Sequence, residues 1–159
     1  LLTVQLPAQE TNRISPVIAP GARLEKLAGD FSFTEGPTCD KIGNVFFTDQ
    51  PNNRIMKWSV DGKLSTFKQP AGRENGMYFD SMGNLIACAD ENTELWSITP
   101  DRKHTVLAKD FAGKSLNAPN DVWVRTYPKF CVWVGYYLLS ICSGASPAAK
   151  KRSPNMIAN

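Results

Sequence analysis

"EGPTCDKIGNVFFTD", residues 35–49, recurs forty residues later in the chain as "NGMYFDSMGNLIACAD", residues 75–90. Each copy reads as a short strand, a D-x-x-G-N turn and a second apolar strand, because the Gly-Asn pair readily takes the positive φ angles of a tight turn. Self-similarity at a fixed period indicates a repeat architecture. The positions that match at this one offset are Gly36 with Gly76, Asp40 with Asp80, Gly43 with Gly83, and Asn44 with Asn84.

The segments that follow the two copies also match. "RIMKWSVDGKLSTF" (54–67) and "ELWSITPDRKHTVL" (94–107) carry Trp58 and Trp96 at like positions, each followed by a turn. Their alternation of apolar and polar residues indicates half-buried strands. A unit of about forty residues with about four short strands is typical of one blade of a β-propeller. The alternative is two unrelated meanders in a β-sandwich. We expect both tryptophans to pack between blades.

A third unit opens with "NAPNDVWV", residues 117–124, and then the sequence changes character. No D-x-x-G-N turn follows Val124, and residues 125–159 contain basic but no acidic residues. We interpret 125–159 as an aberrant, disordered tail, such as a frameshift, a splice variant or a gene-prediction error would produce. The predicted fold is all-β, with a partial propeller of about two and a half blades at 21–124.

The overall composition is that of an ordinary one-domain globular chain, with 42 % hydrophobic and 21 % charged residues among 159. A net charge of +3 does not argue for a nucleic-acid partner, and no apolar run reaches transmembrane length. Residues 1–20 read as a signal-peptide remnant or an N-terminal extension, which favours a periplasmic or secreted location. The cysteine spacing matches no zinc or redox signature, and Cys39 and Cys88 are predicted to be buried free thiols.

Polar residues stand where the first strand of each unit begins: Glu35, Asn75 and Asn120. Propeller blades radiate from an axis, so these strand beginnings are expected to converge on one channel. Carboxylate and amide oxygens suit calcium, magnesium or manganese better than zinc or copper. The alternative for 35–37 is a turn that leads into a strand, and for 120–121 a turn capped by its side chains. Asp49 and Asp90, which end the second strands, are interpreted as turn residues.

The segments "FTEGPTCDKIGNVFFTD", "NGMYFDSMGNLIACAD" and "LNAPNDVWV" closely resemble the gluconolactonase / senescence marker protein (regucalcin) family, above all bacterial gluconolactonases. The resemblance runs from about Arg23 to Val124, and the combination of E-G-P, N-G-M and P-N-D carries it. It implies a six-bladed β-propeller, of which this chain would be a truncated copy, with one divalent cation, usually Ca²⁺, in its channel. It also implies hydrolysis of a sugar lactone to the open acid.

The resemblance assigns roles to four residues. Glu35 falls on a metal-ligand position, and Asn120 falls on a position at the metal or at the substrate beside it. Asn75 would line the channel mouth, and Asp121, also assigned to the channel, would support the neighbouring asparagine. The family completes its metal shell with a further asparagine and an aspartate, the usual general base, and no matching motif follows Val124. The catalytic base is therefore unknown.

The predicted function is metal-dependent hydrolysis of sugar lactones, impaired in this truncated chain. The alternatives are a non-catalytic propeller module that binds a ligand, or a fragment without function. The expected partner is a small sugar lactone, and neither a nucleic acid nor a membrane is expected. Open blade edges are predicted to promote self-association.

Overall fold

The computed structural model describes residue 19 and residues 21–125, 129–134 and 137–142. The predictions for the signal remnant and for residues 143–159 lie outside these residues. The described regular structure is β-strand apart from one short 3-10 helix, Gln50–Asn52. Within the described residues, no helix is long and apolar enough to cross a membrane.

The two repeat copies fold as two four-stranded antiparallel sheets, blade 1 and blade 2, each with its strands in chain order. This confirms the predicted blades. Blade 1 consists of β1 (Thr34–Cys39), β2 (Val45–Asp49), β3 (Arg54–Trp58) and β4 (Leu64–Lys68). Blade 2 consists of β5 (Glu74–Phe79), β6 (Leu85–Ala89), β7 (Glu94–Ile98) and β8 (His104–Ala108).

The D-x-x-G-N turns of the two blades are closed by the same hydrogen bonds. In blade 1 the Oδ1 atom of Asp40 accepts the backbone N–H groups of Ile42 at 3.1 Å and Asn44 at 2.9 Å, and the Asn44 amide donates to Oδ2 at 2.7 Å. Asp80 makes the corresponding bonds in blade 2 at 2.9, 2.8 and 3.0 Å. Burial alone would raise the pKa of Asp40, but the bonds from Asn44 lower it overall.

A third sheet continues the chain beyond the predicted boundary. It consists of β11 (Pro119–Arg125), β12 (Lys129–Val134) and β13 (Tyr137–Cys142), paired antiparallel in that order. A two-stranded ribbon of β9 (Asp110–Phe111) and β10 (Lys114–Ser115) precedes it. The prediction that regular structure ends at residue 124 is therefore wrong for 129–134 and 137–142. Aromatic and β-branched residues there favour strands even without the repeated turn motif.

Two apolar clusters hold the three sheets together. Between blades 1 and 2, Phe46 and Ile55 pack with residues of blade 2 that include Leu85, Ala87 and Trp96. Phe46 also stacks edge to face on Phe67 and Phe79, with ring centroids 5.1 and 5.0 Å apart. The prediction of an inter-blade tryptophan is confirmed for Trp96, which is 5 % exposed. Trp58 is half-buried instead and lines a cleft on the outer face of blade 1.

The second cluster joins Ile86, Cys88 and Leu95 of blade 2 to Leu116 and to Val122 of β11. Successive residues of β6 thus alternate between the two clusters, as expected for a strand that is buried on both faces. Cys88 is a buried free thiol, as predicted, and burial raises its pKa. The same prediction is wrong for Cys39, the last residue of β1, which is exposed.

Candidate functional site

The first strands of the three sheets, β1, β5 and β11, lie side by side, with β5 between the other two. Glycines allow this close approach. A β-carbon on Gly76 would lie 2.9 Å from the carbonyl oxygen of Asn120 and 2.8 Å from the Cα atom of Asp121. The inner strands therefore converge, as the propeller prediction requires.

Each inner strand carries an irregularity in its pairing at the position of a candidate residue. The register shifts between Glu35 and Thr38 in β1, between Glu74 and Met77 in β5, and between Pro119 and Asp121 in β11. A β-bulge bends its strand and changes the direction of nearby side chains, and bulges are frequent beside functional sites. The three irregularities thus mark one edge of the three-sheet assembly.

Glu35 lies half-buried at the beginning of β1. Burial raises the pKa of its carboxyl group, and the negative charges of Asp90 and Asp121 raise it further. The Thr48 hydroxyl donates a hydrogen bond of 3.1 Å to the backbone carbonyl of Glu35, which ties this strand end to β2. Glu35 is thus a carboxyl group within electrostatic reach of two others.

Asn75 lies in β5 and is only 6 % exposed. Its side-chain nitrogen donates to the backbone oxygen of Pro119 at 3.4 Å, a contact between blade 2 and the third sheet. Asn75 therefore lies between two sheets and is less open to solvent than expected for the channel mouth. Its role toward a substrate stays a prediction.

Asn120 and Asp121 lie in β11, and both are exposed. The Oδ1 atom of Asp121 accepts the backbone N–H of Val122 at 2.8 Å and lies against Gly76. Both residues belong to a strand with an irregular register and not to a turn. Of the alternative, a turn capped by its side chains, only the bond from Val122 to the Asp121 side chain is present. Their predicted roles at a metal and a substrate remain predictions.

Sequence reasoning missed Glu74, which precedes Asn75. Glu74 is 1 % exposed, and within the described part of the chain neither of its carboxyl oxygens has a hydrogen-bond partner. Burial raises its pKa well above the usual value. No periodicity distinguishes this glutamate from an exposed one, so no local pattern indicates its burial.

Two aspartates that were interpreted as turn residues differ in environment. The fully buried Asp49 accepts backbone N–H bonds from Ser32 at 3.0 Å and Phe33 at 3.3 Å, and it pairs with Arg54 at 2.7 Å. It thereby fixes the N-terminal segment on blade 1. Asp90, which follows β6, is only half-buried and acts on the Glu35 carboxyl group through its charge.

The oxygen ligands at this edge are of the type that a hard divalent cation prefers, but they are too few to complete its coordination shell. Glu35 offers a carboxylate whose ionisation is opposed by neighbouring negative charge, and a cation would relieve that repulsion. Asn120 offers an exposed amide oxygen. Over the residues that the structure describes, no three His, Cys, Asp or Glu side chains are grouped to hold a metal ion. Further oxygen ligands would have to come from amides, water or another segment.

Comparison with known proteins shows which family this chain resembles. The family model described as "SMP-30/Gluconolactonase/LRE-like region" matches residues 33–150, so the likeness extends past Val124. A gluconolactonase from Zymomonas mobilis is 27 % identical over 126 residues, which cover 70 % of this chain and 35 % of that protein.

Solved structures show the same fold. An X-ray structure assigned to the gluconolactonases superposes with a TM-score of 0.73 at 27 % identity, over 84 % of this chain and 53 % of that one. A calcium-binding regucalcin from Agrobacterium tumefaciens superposes with a TM-score of 0.56 at 17 % identity, over 69 % of this chain and 40 % of that one. The chain therefore spans only about a third to a half of these relatives. By the extent of the family match and by its partial β-propeller fold, the chain belongs to the SMP-30/gluconolactonase/LRE-like family.

Proposed function

We propose that this chain carries part of a metal-dependent, lactone-hydrolysing site of the gluconolactonase type. One observation carries the proposal: three inner strands, each with an irregular register, meet at one edge, where Glu35 lies within electrostatic reach of Asp90 and Asp121. The gluconolactonase names of its relatives supply the substrate class.

In this proposal, Glu35 and Asn120 hold the cation through a carboxylate and an amide oxygen, which suit a hard divalent ion such as calcium. The regucalcin relative, whose description names calcium binding, supports the same choice. When bound, a divalent cation polarises a lactone carbonyl and lowers the pKa of a water ligand. Burial of Glu35 strengthens its attraction for a cation because water screens the charge less there.

Asn75 and Asp121 orient the sugar lactone by hydrogen bonds to its hydroxyl groups. The side-chain nitrogen of Asn75 already donates to the backbone oxygen of Pro119. The side-chain oxygen Oδ1 of Asn75 is therefore the atom available to accept a hydrogen bond from a hydroxyl group. Asp121 accepts from Val122 with one oxygen and has its second oxygen for a substrate hydroxyl. Both residues therefore act as acceptors, which matches the donor-rich rim of a polyhydroxylated lactone.

The described residues do not identify the general base of the reaction, which the family resemblance assigns to an aspartate. A complete site would deprotonate a water molecule with that carboxylate. Here the described residues supply cation and substrate contacts without a base assigned to the water.

The proposal is tested by calcium titration calorimetry combined with pH-stat measurement of glucono-1,5-lactone hydrolysis. Glu35→Gln keeps the shape of the side chain and removes its charge, and we expect it to weaken calcium binding about tenfold or more. Glu25→Gln is the matched control, since Glu25 is exposed and precedes the first strand. Equal calcium affinity for wild type and both variants would contradict the proposal. Ligand binding without metal or turnover would favour the non-catalytic module.

A further inference from the structure

The connector between the two blades, residues 69–73, runs from the end of β4 to the beginning of β5. Two successive residues of this connector have positive φ angles, 72° for Gly72 and 50° for Arg73. An arginine rarely adopts this conformation, and strained backbone persists only where its surroundings hold it in place. Because Arg73 precedes Asn75 by two residues, whatever holds the connector also fixes the beginning of β5.

The side chain of Asn53, which follows the short helix of blade 1, holds this connector. Its Oδ1 atom accepts the backbone N–H groups of Ala71 at 2.8 Å and Arg73 at 3.0 Å. Its Nδ2 atom donates to the Glu91 carboxylate of blade 2 at 3.2 Å. Since Ala71 is only 1 % exposed, water cannot easily replace Oδ1 as the partner of its N–H group. One side chain thus joins blade 1, the connector and the turn that follows β6.

Backbone conformation alone does not explain an asparagine at this position. Thr93 lies at the corresponding position of blade 2, forty residues later, and both residues have a φ angle of 53°. The Thr93 hydroxyl shares a hydrogen bond of 2.9 Å with the Ser115 hydroxyl. Blade 2 therefore forms the same left-handed residue with a different side chain. What Asn53 adds is an acceptor placed between two N–H groups of the connector.

The connector is also held from the side of blade 2. The backbone N–H of Glu91 donates to the carbonyl oxygen of Gly72 at 3.1 Å. A β-carbon on Gly72 would lie 2.7 Å from the Cη2 atom of Trp96, so the connector backbone lies directly against the indole ring. These contacts hold the connector against blade 2, and the Asn53 side chain holds it against blade 1. Asn53 therefore links blade 1 to the strand that carries Asn75.

We propose that Asn53 is a positioning residue for the candidate site, because it holds the connector so that Asn75 presents its side chain to the substrate. Asn53 acts through the backbone and does not itself contact the lactone. The backbone carbonyl of Asn75 already lies against Gly36 of blade 1, so a shift of the connector disturbs both the strand contact and the amide group. Small displacements of an orienting group are enough to weaken its effect. The inference rests on the proposed function, which gives Asn75 its role toward the lactone.

The inference is tested on the full chain by pH-stat kinetics of glucono-1,5-lactone hydrolysis in the presence of calcium. Asn53→Gly keeps the left-handed backbone and removes the acceptor, so we expect KM to rise about tenfold while kcat stays within about twofold. Asn53→Thr copies the residue of blade 2 and should act in the same way, which keeps the test available if Asn53→Gly fails to fold. Asn53→Asp restores an oxygen toward the two N–H groups and should recover most of the lost affinity.

Gln69→Ala is the matched control. Gln69 lies in the same connector, and its side chain donates an exposed bond of 3.2 Å to the backbone oxygen of Asn52. Its loss should leave KM and kcat unchanged. A merely structural role of Asn53 predicts a smaller amount of active protein, which lowers the apparent kcat and leaves KM as it is.

Amide hydrogen exchange followed by mass spectrometry examines the connector without substrate. Asn53→Gly should speed exchange in peptides that cover residues 69–79 at least about fivefold and leave peptides of β8 unchanged. Unchanged exchange at 69–79, a loss confined to kcat, or no rescue by Asn53→Asp would overturn the inference. A wild type that hydrolyses no lactone would contradict the proposed function, and with it the role of Asn53 toward the substrate. The exchange result decides separately whether Asn53 holds the connector.

Discussion

The backbone carbonyl oxygen of Asn75 lies closer than van der Waals contact to the position that a β-carbon on Gly36 would take. Gly36 also has a φ angle of 58°, in the left-handed region that side chains rarely adopt. The first two inner strands therefore approach each other through a residue that has no side chain, and the candidate site depends on that approach.

Gly36→Ala is expected to destabilise the protein by about 2–4 kcal/mol, because it combines left-handed strain with overpacking against the neighbouring backbone. Urea unfolding followed by circular dichroism measures the change. Gly62→Ala is the matched control, because Gly62 has a φ of 77° but no atom within 4 Å of an added β-carbon. It should cost only the strain, about 1–2 kcal/mol. Equal losses for the two variants would show that the approach of the strands is not tight.

Glu74→Gln is expected to stabilise the protein at neutral pH. The folded state raises the pKa of Glu74 through burial, so ionisation of this group penalises folding as the pH rises above the unfolded value of about 4.3. Below that pH both states hold the proton, and the advantage of the glutamine should vanish. Urea unfolding over a pH series tests this, with Glu25→Gln as the exposed control. A difference in stability between Glu74→Gln and wild type that does not change with pH would contradict a raised pKa of Glu74 in the folded state.

Arg54→Met is expected to cost about 3 kcal/mol, because it leaves the buried Asp49 carboxylate without its cationic partner. Burial would raise the pKa of Asp49, but bonds from Asn52, Arg54 and backbone N–H groups lower it overall. Its contribution to stability is therefore present above the unfolded pKa of about 3.9 and is lost as the pH falls through the lower folded value. Lys63→Met, which removes the exposed partner of Asp61, should leave thermal stability nearly unchanged. A similar melting temperature for both variants would argue against a stabilising role for the Asp49–Arg54 ion pair.

Asp80→Ala is expected to lower stability by roughly 1–3 kcal/mol, since it removes three hydrogen bonds that close the turn of blade 2. Asp40→Ala should have a similar effect in blade 1, because the same bonds recur there. Thermal unfolding of the two variants side by side measures the comparison. Ser81→Ala is the control for a substitution in the same turn. A large loss of stability in this variant would argue against the Asp80 carboxylate as the group that stabilises the turn.

The blades could be predicted from the sequence because the D-x-x-G-N turn encodes its own geometry within five residues. Trp96 could be assigned to the inter-blade core because strand periodicity determines which face it occupies. The bulges at Glu35, Asn75 and Asn120 could not be predicted, since register depends on pairing with another strand and not on local pattern.

The error at residue 124 has a similar origin. The turn motif is missing there, but the apolar, aromatic and β-branched residues of 129–134 and 137–142 favour strands without it. Burial of Glu74 could not be predicted either, because burial depends on contacts with segments that are distant in sequence. Strand register and the burial of single polar residues thus depend on long-range packing and not on local sequence.

The self-contained turns of Asp40 and Asp80 have a consequence for biogenesis. Every bond that closes them spans at most four residues, and each four-stranded sheet pairs only consecutive strands. A nascent chain leaving the ribosome can therefore complete the first blade before the second has been translated. Vectorial assembly of this kind allows such units to be duplicated or recombined during evolution without rebuilding a shared nucleus.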